Sequence, residues 1–130
     1  DIIPITHPQY CHENTVMHFI EYLGATLQYA DKLIVNTQKI DPMSVVIGDC
    51  QYPEGVLDSV KATGAAVVAL DALPLAVEAG SPKATNVVLI GAMAKNTDID
   101  KEIWLDAVKS CVPEKFLELN LKAFELGYNQ

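Results

Sequence analysis

The chain has 130 residues, 50% of them hydrophobic and 20% charged, and its 9 basic and 17 acidic side chains give a formal charge of −8. That length suits one domain with a core of two packed layers, and that apolar fraction excludes an intrinsically disordered chain. Every basic residue is Lys and none is Arg, which argues against nucleic acid and anionic lipid as partners. Such a surface repels phosphate and lacks the planar donor fork that reads guanine edges. Apolar runs fall far short of the ~20 residues of a membrane helix, and no secretory leader pattern follows the start. The first residue, Asp1 instead of Met, is expected from a trimmed or processed chain.

The spacing predicts an amphipathic helix over 13–24, with Val16, Phe19, Ile20 and Leu23 on one face and Gly24 closing it. Leu33-Ile34-Val35 is a short β-branched run ending at Asn36-Thr37, and Ser44-Val45-Val46-Ile47-Gly48 is a second run after Pro42. Both are apolar on consecutive residues, as in strands covered on both faces of an α/β sheet. The linker between them is too short for a helical crossover, so either they pair antiparallel or one is not a sheet strand. A mixed sheet is the preferred reading. A helix over 54–63, with Val56, Leu57 and Val60 on one side, stops at Gly64 and leads into a strand over 65–70 that ends at Asp71. Strand, helix and strand in that order form a βαβ unit with an expected right-handed crossover.

Pro74 sits early in a short helix over 73–79, which Gly80-Ser81-Pro82 ends. Asn86 is the expected cap of a segment over 87–94 that is apolar all round, hence a buried helix or, competing with it, a strand. Asp100 should cap a helix that turns Ile103, Trp104, Ala107, Val108 and Cys111 inward. Pro113 should open a last helix that runs to about Leu126 before Gly127. No internal repeat, low-complexity tract or composition break divides the chain.

Chemistry is sparse. Cys11, Cys50 and Cys111 are odd in number and unpatterned, which reads as reduced thiols of a cytoplasmic protein. His7, Cys11, His12 and His18 match no closed zinc spacing and read as polar residues at a loop and helix start. A phosphate-binding glycine motif and a nucleophile elbow are both missing from the chain. Cys50, beside Asp49, reads as an inert thiol, because the neighbouring carboxylate disfavours a thiolate. No catalytic residue and no metal ligand is assigned. Asn36 and Thr37 close the first strand, where α/β folds place ligands, and Ser81, Thr85 and Asn86 lie in a polar loop before a helix. These five are the candidate partner- or ligand-facing residues, although each is also an ordinary turn or cap former.

Four stretches in this order resemble one family: Leu33-Ile34-Val35-Asn36-Thr37; positions 42–48 with Tyr52-Pro53; Gly80-Ser81-Pro82-Lys83-Ala84-Thr85-Asn86 running on through 87–92; and Val112-Pro113-Glu114 running on to Tyr128. Together they are similar to the gamma-type domain of 2-oxoacid:ferredoxin oxidoreductases over about residues 16–128. The resemblance implies a three-layer, Rossmann-like α/β fold, with a mostly parallel (mixed) sheet, helices on both faces and a C-terminal helical segment. It implies one such domain over 1–130, lacking the family's N-terminal glycine-rich turn and its Arg-Gly-Gly segment, with 1–10 as a truncation edge or a splice.

It further implies a subunit that binds no cofactor of its own and is inactive alone. A large partner subunit would carry thiamine diphosphate and iron–sulfur clusters, decarboxylate a 2-oxoacid (an arylpyruvate), pass electrons to ferredoxin and deliver the acyl group to coenzyme A. The strand-end loops, including 48–52, would face that partner or coenzyme A, and a homodimer is compatible. Two other readings differ in class. One is a stand-alone flavodoxin-like domain holding a nucleotide or flavin at the strand ends. The other is a metal-binding regulator using His7, Cys11 and His12.

Overall fold

The computed structural model describes residues 32–130, so the expected 13–24 helix, Asp1, Cys11 and the histidine cluster lie outside the described residues. The described residues fall into two compact units. One joins Lys32–Gln38 to Val67–Gln130; the other contains Lys39–Ala66. No helix among the described residues is long and apolar enough to cross a membrane.

The first unit is built on a parallel pair of strands, β1 (Lys32–Asn36) and β2 (Ala66–Leu70). Both were legible as β-branched or alanine-rich apolar runs. Ile34, Val68 and Leu70 pack on the helical core, while Ala66 and Ala69 are exposed, so the strands are less fully covered than consecutive apolar residues suggest. After β2, Asp71 caps helix α3 (Ala72–Ala79), its Oδ1 accepting from Leu73 N at 3.2 Å. Pro74 falls in the first turn, where a helix N–H has no partner to lose. Gly80, at φ +123°, closes α3. Its N–H donates to Ala76 O and Val77 O, and Ser81 N also donates to Ala76 O at 3.0 Å.

A 3₁₀ turn (Pro82–Ala84) then leads into α4 (Thr85–Lys95). The helical reading of 87–94 holds, but two details differ. The cap is displaced: Ser81 Oγ accepts from Lys83 N at 3.3 Å and starts the helical path early, leaving Asn86 exposed inside the first turn of α4. Burial on every side also fails, because Met93 is exposed whereas Val87, Val88, Gly91, Ala92 and Ala94 are buried.

Helix α5 (Lys101–Cys111) starts after Asp100, whose side chain makes no capping bond. Its face is turned from the expected one. Trp104, Leu105 and Val108 point to the core, while Ile103, Ala107 and Cys111 are exposed. The sequence carries two apolar stripes on this helix, and the bulkier one, Trp104, Leu105 and Val108, is the one that packs on the core. Beside it, Lys101 Nζ meets Glu125 Oε2 at 2.7 Å and lies 4.6 Å from the centre of the Tyr128 ring.

Pro113 precedes a 3₁₀ turn (Glu114–Phe116), and α6 runs from Leu117 to Tyr128. Gly127 is therefore inside the last helix and does not end it. Its role is contact. A Cβ built on Gly127 would lie 2.7 Å from Val88 C, and one built on Gly91 would lie 2.8 Å from Tyr128 N. The two glycines form a reciprocal notch in which the backbones of α4 and α6 touch. Alanine and valine line most of the surrounding core (Ala72, Ala76, Ala92, Ala123, Val88), and Phe124 is its one large, fully buried side chain.

In the second unit, the run expected as a strand at 44–48 is a short helix, α1 (Met43–Val46). A brief apolar run fits either element by periodicity, and here local hydrogen bonds settle it. Pro42 O accepts from Val45 N and Val46 N at 2.9 and 3.0 Å, and Gly48, at φ +86°, turns the chain so that Asp49 N reaches Ser44 O at 2.9 Å. The preferred mixed sheet is therefore corrected: one of the two runs is not a strand, and the sheet among the described residues is the parallel β1–β2 pair. Helix α2 (Val56–Ala62) has Val60 buried and Gly64, at φ +90°, just past its end, as the spacing predicts.

Candidate functional site

In open α/β sheets, ligands and partners approach at the C-terminal ends of parallel strands, and here that edge consists of Asn36, Thr37 and Asp71. Asn36 is half-buried and its side chain is committed to the backbone. Oδ1 accepts from Gln38 N and from Ala72 N, both at 3.2 Å, and Nδ2 donates to Gln38 Oε1 at 3.4 Å. One amide thereby shapes the turn after β1 and satisfies a donor at the start of α3. Thr37 is exposed and its N–H donates to Leu70 O at 2.9 Å, extending the pairing one residue past the strand.

Ser81, Thr85 and Asn86 lie elsewhere. The loop holding them follows the C-terminus of α3, whereas Asn36 sits at its N-terminus, and eight helical residues span about 12 Å. The structure thus brings Asn36 to Thr37 and Ser81 to Thr85, but not the two groups to each other. Thr85 Oγ1 donates to Pro82 O at 2.7 Å, Ser81 holds the 3₁₀ turn, and Asn86 is exposed. Lys122 Nζ donates to Glu78 O at 2.7 Å, which ties α6 to the end of α3 beside this loop.

The chemistry of these groups is positional. Among the described residues no polar or charged residue is buried, and no three His, Cys, Asp or Glu side chains are grouped as metal ligands. Cys50 is half-buried in the turn after α1, its N–H donating to Ser44 O at 3.0 Å. What the strand edge does offer is a turn fixed by the Asn36 amide, with Thr37 and Asp71 exposed beside it.

Asn36→Ala should cost about 1–2 kcal/mol, the loss of a cap together with a part-buried donor left unpaired. Asn36→Asp, which keeps an acceptor at Oδ1, should recover most of it. Urea unfolding of the three proteins checks this, and an alanine variant as stable as the parent would remove the role assigned to the amide.

Sequence reasoning missed the Gly91–Gly127 notch and the outward stripe of α5. The signal for the first is faint, a glycine in each of two apolar segments. For the second it is plainer, since Ile99 and Ile103 stand among Asp98, Asp100 and Glu102, neighbours that favour solvent.

Comparison with known proteins gives a consistent result. Residues 6–130 match the family described as Pyruvate ferredoxin/flavodoxin oxidoreductase. Among curated proteins, the chain is 35% identical over 102 residues to indolepyruvate oxidoreductase subunit IorB of Archaeoglobus fulgidus, covering 75% of this chain and 51% of that protein. It is 34% identical over 118 residues to the protein of the same name from Thermococcus kodakarensis, and 32% identical over 118 residues to that of Pyrococcus horikoshii. Each of these two alignments covers 85% of this chain and 55% of the relative. The chain thus spans about half the length of the curated relatives it matches. No solved structure matches.

Proposed function

Because the chain belongs to the Pyruvate ferredoxin/flavodoxin oxidoreductase family, we propose that it acts within a subunit, without a cofactor of its own, of a 2-oxoacid:ferredoxin oxidoreductase whose oxoacid is an arylpyruvate such as indolepyruvate. The observation that carries this reading is that relatives matching most of this chain are named as subunits of an indolepyruvate oxidoreductase. The enzyme would decarboxylate the oxoacid oxidatively to acyl-coenzyme A and pass the electrons to ferredoxin, in the cytoplasm.

The iron–sulfur clusters of such an enzyme do not fit this chain. A cluster takes four cysteine thiolates or close equivalents, and the chain has three cysteines, of which Cys50 and Cys111 lie on different units. In this proposal the clusters and thiamine diphosphate belong to a large partner subunit, which supplies the hard chemistry while this chain supplies position and closure. Its residues 1–130 form one gamma-type domain in this reading. On the same reading the parallel β1–β2 pair, packed on its helices, is part of a larger Rossmann-like fold of three layers. Asn36 and Thr37 on one side, and Ser81, Thr85 and Asn86 on the other, are proposed as two separate contact points for the partner or for coenzyme A.

Affinity purification of the full-length protein from its own cells tests the assignment. A thiamine-containing, iron–sulfur subunit is expected to copurify in fixed ratio. A homogeneous yellow protein with a flavin spectrum and no such subunit would contradict the proposal.

A further inference from the structure

The outer face of α5 carries apolar side chains that its own fold does not use. On the helix Ile103 is 60% exposed, with Ala107 and Cys111 following it outward at intervals of four residues, and Ile99, in the bend just before the helix, is 49% exposed. The helix already packs Trp104, Leu105 and Val108 on the core from its inner side, so the outer stripe is a surplus among the described residues. Carboxylates fringe it. Asp98, Asp100 and Glu102 are all exposed, and none has an ion pair among the described residues. The lysines of the helix are engaged elsewhere: Lys101 with Glu125 at 2.7 Å, and Lys109 with Asp106 at 3.0 Å. Asp100, although at the capping position, makes no capping bond.

We infer that this face docks a protein surface whose apolar centre is ringed by lysine or arginine, and that the occupant is the cofactor-bearing partner subunit; the second clause rests on the subunit reading above. Any surface that covers Ile99 and Ile103 also takes Asp98, Asp100 and Glu102 out of water. A desolvated carboxylate without a cation or donor is costly, so an acidic or wholly apolar occupant is disfavoured. A second copy of this chain, with its own formal charge of −8, brings another predominantly acidic surface. Nucleic acid and anionic lipid repel these carboxylates likewise. The isoleucines supply the dehydrated centre of the contact, and the carboxylates supply steering and register.

The test is the affinity of the full-length protein for the purified partner subunit, measured at several ionic strengths. Asp100→Lys/Glu102→Lys and Ile103→Asp should each weaken binding about tenfold or more. Glu54→Lys/Asp58→Lys, exposed carboxylates of the other unit, should leave it unchanged. In the parent protein, association should slow as salt rises. A parent complex that forms independently of salt, or that the α5 variants form equally well, overturns the inference and leaves the subunit reading standing. A parent protein that binds no such subunit overturns both.

Discussion

Gly127→Ala is expected to destabilise the protein by about 3 kcal/mol, at the upper end of what an inserted methyl costs in a packed core. The same change at an ordinary interior helix position would stabilise, by about 0.5–1 kcal/mol, because alanine loses less backbone freedom on folding. The reversal of sign comes from contact. The added Cβ would lie 2.7 Å from Val88 C and 3.0 Å from Val88 Cα, and these are backbone atoms that no rotamer change can move aside. Gly91→Ala meets Tyr128 N and Phe124 C at 2.8 and 3.0 Å and should behave alike. Since each variant forces the same pair of helices apart, the double variant should cost less than the sum of the two. Urea midpoints with unchanged slopes would report this directly. Variants as stable as the parent would show that α4 and α6 are not in backbone contact.

Phe124→Ala should cost about 4 kcal/mol, a large share of the 5–15 kcal/mol that holds a typical domain together. Phe124 has no exposed surface, and its ring stacks on Tyr128 with centroids 6.0 Å apart. The buried residues of its core cluster are mostly alanine and valine, short side chains with little reach into the space a deleted ring leaves. The control is Phe116→Ala. That ring is 48% exposed, and its loss should cost less than about 1 kcal/mol, near the range of surface changes. Equal effects at the two positions would mean that Phe124 is not the buried centre of this core.

Much of the architecture was legible because strong local signals agree with one another. Leu33-Ile34-Val35 and 65–70 are short apolar runs bordered by turn formers, Asn36-Thr37 after the first and Gly64 and Asp71 around the second, and Gly80 ends the helix that follows. Where two local solutions were equally good, hydrogen bonding or packing outside the apolar pattern chose. Positions 44–48 are apolar enough for a strand, yet Pro42 O and the left-handed Gly48 close a helical turn. Helix α5 carries two apolar stripes, and the one with the larger side chains, Trp104, Leu105 and Val108, packs inward. Gly127 read as a stop because glycine commonly ends helices, but its missing side chain serves an interhelical contact 36 positions from Gly91, beyond the reach of any local window. The strand-end candidates were found by position. What position could not tell is that the Asn36 amide is spent on Gln38 and Ala72, which makes it a shaper of the edge first.

The central claim is that this chain works as scaffolding for cofactors held by another subunit. Reconstitution tests it most directly: oxoacid-dependent reduction of ferredoxin is measured with the purified full-length protein, with the thiamine-bearing subunit, and with the two mixed. The account predicts no turnover from the full-length protein alone, little from the thiamine-bearing subunit, and full activity on mixing. Full activity from the thiamine-bearing subunit by itself, or turnover by this protein without it, would contradict the account.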